Sequence, residues 1–151
     1  MDRVVWIYLS TVSAVAFVLN WAWEMAQMPG YAEMAGRPWS ETLWRCTMAA
    51  GGDVAVTLGV YGVGAMAAGC MRWGQRGSWN AYAAAAVMGA VAAAAIEWQA
   101  LGAGKWSYND RMPIVPLLDV GLWPLLQLSM LIPMAMLMAR ALVSMRASAS
   151  H

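Results

Sequence analysis

Four long apolar stretches alternate with short polar segments along the chain. Their approximate bounds are 4–23, 47–68, 81–101 and 117–142. A helix needs about 20 mostly apolar residues to cross a bilayer, and a backbone in lipid must satisfy its own hydrogen bonds. The pattern therefore predicts an all-α fold in which residues 1–151 form a single membrane domain, a multi-pass bundle of four transmembrane helices.

The polar segments determine the predicted topology. Prolines and glycines interrupt the first linker, 24–46, so we expect an irregular segment lying partly at the membrane interface. Four spans place both termini and the 69–80 linker on one side. Basic residues number five on that side and four on the other: Arg3, Arg72, Arg76, Arg140 and Arg146 against Arg37, Arg45, Lys105 and Arg111. This excess predicts cytoplasmic termini, because segments rich in Lys and Arg stay inside.

Composition narrows the class of protein. Hydrophobic residues make up 62% of the chain and charged residues 11%, whereas soluble domains have about 45–50% and about 25%; the lipid bilayer is therefore the expected surrounding. A net charge of +1 forms no basic patch for nucleic acid. Two cysteines and one histidine are too few for zinc or haem sites, and a Ser or Cys nucleophile lacks a paired histidine. We expect no metal and no cofactor.

Four carboxylates are the main candidates for chemistry: Glu24, Asp53, Glu97 and Asp119, each within or at the end of a different span. Because neighbouring spans run antiparallel, all four are predicted at a similar level on the side opposite the termini. An ionisable group in a span usually faces the bundle interior and marks function. Carboxylates held together cannot all ionise cheaply, so one is expected to hold a proton, as a general acid must. The alternative is that they are hydrated at the interface, capping helices or pairing with basic residues.

Aromatic and amide side chains accompany these acids. The predicted substrate-binding residues are Asn20, Trp23, Trp98, Trp106, Tyr108, Trp123 and Gln127. Aromatic faces stabilise cations, so an acid beside aromatic walls in an apolar cavity suits chemistry in which protonation creates a carbocation. The alternative interpretation of the tryptophans is the aromatic belt that forms at membrane interfaces.

One segment resembles a known family. Gly104-Lys-Trp106-Ser-Tyr108, followed by Pro113 and Pro116, is similar to the Gly-x-Trp-x-Tyr…Pro stretch in the lycopene cyclase domain of membrane-bound carotenoid and terpene cyclases. In that family a pair of acids follows the proline directly, whereas here two leucines precede Asp119 alone.

The whole chain also resembles small bacterial four-span proteins of unsettled function. They share Asn-x-x-Trp-Glu, Gly-Asp and Glu-Trp elements, here Asn20 to Glu24, Gly52-Asp53 and Glu97-Trp98. Together the two resemblances imply a cyclase or isomerase of isoprenoids in a bacterial inner membrane.

Three functions follow from these features. The first is an intramembrane acid/base catalyst acting on an isoprenoid or similar long apolar ligand, with Asp53 or Glu97 donating the proton and Trp98, Trp106 and Trp123 lining the cavity. The second is a cation-binding or proton-binding transport protein. The third is an accessory subunit of a larger membrane complex, or a homo-oligomer, associating through small residues such as Gly59, Val63 and Ala67 or Gly89 and Ala93.

Overall fold

The computed structural model describes residues 2–76 and 78–148. Four long helices account for most of them: α1 Arg3–Gln27, α2 Trp39–Ala67, α3 Trp79–Gly102 and α4 Leu122–Ser148. A small antiparallel hairpin, β1 Ile114–Val115 and β2 Val120–Gly121, precedes α4. Short 3-10 turns occupy Met28–Gly30, Ala32–Met34 and Trp73–Gln75. All four helices are long and apolar enough to cross a membrane, in agreement with the four long apolar helices that the sequence predicts.

The helices pack as an up-and-down bundle. α1 contacts α2 and α4, and α3 contacts the same two helices. Trp21, near the end of α1, donates to Thr47, near the start of α2, whereas Tyr8 at the start of α1 stacks against Tyr61 at the end of α2. Neighbouring helices are therefore antiparallel, as the short linkers require.

Two helix starts differ from the predicted bounds. α2 begins at Trp39 rather than near residue 47, directly after Pro38, since proline suits the start of a helix but interrupts its interior. α4 begins at Leu122 rather than near residue 117. Leu117 (φ 76°) and Asp119 (φ 52°) adopt left-handed backbone conformations that an α-helix of L-residues does not contain, so this segment forms the β1–β2 turn instead.

The end of the bundle near the termini is filled by closely packed side chains. Tyr8, Tyr61, Ile132 and Met136 are fully buried there, and the α2–α3 linker folds beneath them. The Trp73 indole donates to the Tyr61 carbonyl at 2.9 Å. The hydroxyls of Tyr8 and Tyr82 donate to backbone carbonyls of this layer. The packing closes this end of the bundle.

Glycine allows close contact at one helix pair. A Cβ added at Gly89 of α3 would lie 2.4 Å from the Leu128 carbonyl oxygen of α4. Gly89 therefore lies where α3 and α4 approach closely inside the bundle, as small residues allow. Gly59, by contrast, has no atom within 4 Å of an added Cβ, and Val63 and Ala67 are exposed. This second set of small residues, on α2, therefore faces outward.

The two linkers at the opposite end bind each other and form a cover, residues 28–34 and 105–112. The Ala32 amide donates to the Ser107 carbonyl at 3.0 Å, and the Asn109 amide donates to the Gly30 carbonyl at 3.1 Å. Between these bonds, Tyr31 and Tyr108 pair as an isolated antiparallel bridge. The first linker thus folds over the helix ends, in contact with the second half of the chain.

Candidate functional site

A cavity of about 640 Å³ lies beneath the cover. Every helix contributes polar groups to its wall: Glu24 and Gln27 from α1, Asp53 from α2, Glu97 from α3 and Gln127 from α4. The remaining wall is largely apolar and includes Met28, Val56, Ile96 and Leu128. Four further charged residues line it toward the cover: Glu33, Glu41, Arg45 and Lys105. Its volume lies within the range of small-molecule sites, roughly 300–1,000 Å³, which combine apolar walls with a few converging polar groups.

The amide of Gln127 connects three helices inside this cavity. Its Nε2 lies 3.0 Å from Asn20 Oδ1, 2.9 Å from Glu24 Oε1 and 2.8 Å from Asp53 Oδ2. An amide nitrogen carries two hydrogens, so three acceptors share them. The Gln127 Oε1 in turn accepts from Gln27 Nε2 at 2.8 Å. Gln127 therefore holds the Glu24 and Asp53 carboxyl groups in one network.

Glu97 occupies the α3 side of the cavity and is only 4% exposed. Its Oε2 accepts a hydrogen bond from the Trp106 indole at 3.1 Å and a second one from the Tyr108 hydroxyl. The same hydroxyl accepts from the Gly121 amide at 2.9 Å. Glu97 is thus oriented by the cover and by β2.

Two tyrosines of the cover remain protonated beside these acids. Burial, followed by the charge of Glu97, raises the pKa of Tyr31. Burial, followed by the hydrogen bond to Glu97, raises the pKa of Tyr108. Tyr31 also packs edge-on against Trp106, with ring centroids 6.2 Å apart. These rings form an aromatic wall between the cavity and the outside.

The structure brings together most of the predicted site. Glu24, Asp53, Glu97, Trp106 and Gln127 all line the cavity. Behind the wall, the fully buried Asn20 contacts Gln127, Trp23 donates to Gln27 Oε1 at 3.2 Å, and Tyr108 contacts Glu97. These three residues support the lining from the second layer of side chains.

Asp119, Trp98 and Trp123 are corrections to the predicted site. Asp119 is exposed in the β1–β2 turn, outside α4 and away from the cavity wall. Trp98 and Trp123 are 52% and 39% exposed. The Trp98 indole donates outward to the Leu118 carbonyl at 2.6 Å. Trp98 directly follows Glu97 along α3, and successive helix positions point about 100° apart. The cavity is lined by Glu97 and by Ile96 on its other side, and Trp98 is turned away from it.

Sequence reasoning missed Gln27 and Tyr31 as members of the site. Gln27 lies three residues after Glu24, a spacing that places both on one helix face. This signal is lost when the first span is ended at residue 23. Tyr31 has no comparable signal, because its position depends on pairing with Tyr108 across the chain.

Charge pairing is absent from the three cavity acids. Among residues 2–76 and 78–148 the ion pairs are Arg37–Glu41, Arg45–Glu41 and Arg72–Asp2, so Glu24, Asp53 and Glu97 have only neutral hydrogen-bond donors. In the same residues no three His, Cys, Asp or Glu side chains are grouped to hold a metal ion. Cys46 and Cys70 are free cysteines.

The cavity therefore combines unpaired acids, amides and aromatic rings in an apolar enclosure open to one side of the bundle. Comparison of the chain with protein-family models, curated proteins and solved structures finds no match to any of them.

Proposed function

We propose that this protein is an intramembrane acid/base catalyst, of the cyclase or isomerase type, that acts on an isoprenoid or a similar long apolar substrate. One observation carries the proposal: three carboxyl groups from three helices line a single, largely apolar cavity, and none of the three forms an ion pair with Arg45 or Lys105, which line the same cavity. An unpaired buried charge is costly, so such groups hold protons or act on a ligand.

The reaction needs no oxidant or cofactor. A carboxylic acid donates its proton to one carbon of a carbon–carbon double bond, and the electron pair of that bond forms the new C–H bond. The neighbouring carbon becomes a carbocation, which either rearranges or is attacked by a second double bond to close a ring. A carboxylate then removes a proton from an adjacent carbon and restores a double bond. The product is an isomer of the substrate.

The hydrogen bonds favour Asp53 as the acid and Glu97 as the base. Within the described part of the chain Asp53 accepts one side-chain hydrogen bond, from Gln127. Glu97 accepts two, from Trp106 and Tyr108. Because donors stabilise the charged form of a carboxyl group, Glu97 is better prepared to be the carboxylate. Transfer of the proton from Glu97 back to Asp53 completes the cycle, with Glu24 as the intervening acid.

The walls suit a cationic intermediate. The Tyr31 and Trp106 rings meet edge-on at the cavity, and an aromatic face stabilises a desolvated cation by about 2 kcal/mol or more. The apolar wall, with the cover above it, keeps out water, which would otherwise capture the carbocation and end the reaction as an alcohol.

The proposal includes a location. We infer a multi-pass protein of a bacterial inner membrane with cytoplasmic termini, on the basis of the excess of basic residues near the termini and the resemblance described above. Reporter fusions at each linker test the orientation. An enzymatic reporter that is active only outside the cytoplasm is expected to work at residue 36 and to fail at residue 76.

The catalytic proposal is tested in bacteria that make polyprenoid precursors and express the chain. We expect lipid extracts to contain a species with the mass of a precursor and a different chromatographic retention. Asp53→Asn and Glu97→Gln should each reduce this species about 10²–10⁴-fold, the usual contribution of general acid/base catalysis. Liquid chromatography with mass spectrometry provides the measurement.

Asp110→Asn is the matched control, because it removes an exposed carboxylate of the cover and should leave the product unchanged. Equal amounts of folded protein are verified by thermal unfolding in mild detergent. Lipid profiles identical to those of cells without the protein, or full product formation by Asp53→Asn, would contradict the proposal.

A further inference from the structure

The cavity is open toward the gap between α2 and α3. On this side its lining includes Met48, Gly52 and Val56 of α2 and Ile96 of α3, all exposed or partly exposed, with the buried Ala93 behind them. Met48 is 56% exposed and Gly52 is exposed as well. α2 and α3 also pack less closely than any other neighbouring pair of helices. The outer surface of the bundle therefore continues into the cavity at this gap.

This part of the lining lies at the depth of lipid chains. α2 has 29 residues, from Trp39 to Ala67, so at about 1.5 Å per residue it is longer than the hydrocarbon core, which is about 30 Å thick. Gly52 and Asp53 lie at the middle of this helix. Wherever a helix of this length crosses the core upright, its middle lies inside it.

Gly52 keeps this opening clear. A Cβ added at Gly52 would meet no atom within 4 Å, so the space in front of it is empty. The preceding Gly51 is equally unobstructed but does not line the cavity, because the helix turns it to another direction. The two glycines form a natural pair of test and control positions.

We propose that the substrate passes from the bilayer into the cavity between α2 and α3, and that Gly52 determines the width of this opening. The nature of the occupant, a lipid-dissolved isoprenoid-like chain, rests on the proposed function. The other directions suit a long apolar chain less well. The layer containing Tyr61 and Met136 closes the bundle below. Above, the paired linkers of the cover stand over the cavity, and the lining on that side carries the charged side chains of Glu41, Arg45 and Lys105.

The test uses the full chain in phosphatidylcholine nanodiscs and a farnesol that carries a photoreactive diazirine. After illumination, mass spectrometry of peptides locates the cross-links. We expect labelling of the cavity wall in the wild-type chain and a decrease of about tenfold in Gly52→Leu, since the added side chain must be displaced before the probe can pass. Gly51→Leu, with the same added volume, should be labelled like the wild type.

Thermal unfolding compares the folding of both leucine variants. If Gly52→Leu does not fold, Gly52→Ala replaces it in the test. Its labelling should be weaker than that of the wild type and of Gly51→Leu, but stronger than the background. Equal labelling of the Gly52 and Gly51 variants, or a wild-type cavity that takes up no probe, would overturn the access route.

Labelling requires no proton transfer, so it reports on access to the cavity independently of product formation. The two proposals can therefore fail separately. Loss of the isomeric product in Asp53→Asn together with normal labelling of Gly52→Leu refutes the access route alone. Blocked labelling in Gly52→Leu together with an unaltered lipid profile in Asp53→Asn refutes the catalytic role alone.

Discussion

Gln127 shows how much a single amide can organise in this protein. It is 2% exposed and lies within hydrogen-bond distance of Asn20, Glu24 and Asp53. A carboxylate in its place would repel the two acids. An apolar side chain would leave Asp53 without a side-chain donor and Glu24 with only that of Gln27. An uncharged donor between the two acids allows them to lie close together, and it does so regardless of which acid holds the proton.

We predict that Gln127→Leu destabilises the protein. The substitution leaves Asn20 Oδ1 and the Glu24 and Asp53 carboxyl groups without this donor, and each buried group that loses its partner costs about 1–3 kcal/mol. Thermal unfolding in mild detergent measures the effect. Gln99→Leu is the matched control, because Gln99 is exposed on α3 and its loss should leave the unfolding midpoint unchanged. Equal midpoints for the two variants would show that the network contributes nothing.

At the scale of elements, the cover converts four separate helix ends into one site. The hydroxyl of Tyr108 contacts Glu97 on α3 and the Gly121 amide in β2. The Ser107 hydroxyl donates to Glu33 Oε1 at 2.7 Å and so fastens the first linker to the second. Because each linker contributes one member of the Tyr31–Tyr108 bridge, neither is expected to hold this shape alone.

The cover predicts an alkaline loss of stability. Burial raises the pKa of Tyr31 and Tyr108 above the ordinary value of 10.0, and the Glu97 carboxylate raises both further. The unfolded chain loses these phenolic protons near pH 10, whereas the folded chain keeps them. Their contribution to stability is therefore complete below about pH 10 and is lost as the pH rises above it.

The measurement is the thermal unfolding midpoint from about pH 9 to about pH 11. We expect the midpoint of the wild-type chain to fall steeply over this interval and that of the double variant Tyr31→Phe and Tyr108→Phe to fall less. Values recorded near pH 7 correct for the hydrogen bonds that the substitutions remove. Parallel curves for the two proteins would show that these tyrosines do not cause the alkaline loss.

At the scale of the whole molecule, the two ends of the bundle differ in kind. The end near the termini is filled by large side chains, among them Tyr8, Ile132 and Met136. The opposite end is hollow and acidic beneath its cover. A pathway for ions needs space or a continuous series of free polar groups through the full thickness. At the filled end, the tyrosine hydroxyls of the described helices donate to backbone carbonyls within the packed layer. The architecture favours a binding cavity over a channel.

We therefore predict that the protein does not conduct protons. Vesicles that contain the purified chain and an internal pH-sensitive dye should respond to an external pH step as slowly as vesicles without protein. A protonophore added at the end of each recording verifies the response of the dye. Faster equilibration than in empty vesicles would instead support the transport function and contradict the interpretation of the filled end.

Hydropathy alone determined the number of spans, because 20 apolar residues in a row leave a chain few alternatives to crossing lipid. It also predicted that Glu24, Asp53 and Glu97 share one level of the bundle, since neighbouring spans are antiparallel. The early start of α2 at Trp39, however, places Asp53 at the middle of that helix. Helix starts were less predictable. Pro38 determines the start of α2, and the left-handed residues Leu117 and Asp119 delay the start of α4. Both effects come from local backbone geometry, which an average of hydropathy does not detect.

Only the tertiary structure decided which polar groups share the cavity. Trp98 and Glu97 are neighbours in sequence, yet the helix turns one outward and the other inward. Tyr31 joins the site only through a backbone bridge to Tyr108, more than 70 residues away along the chain. Sequence patterns report the period of an element and the depth of its residues, whereas the direction of each side chain depends on which helix packs against which face.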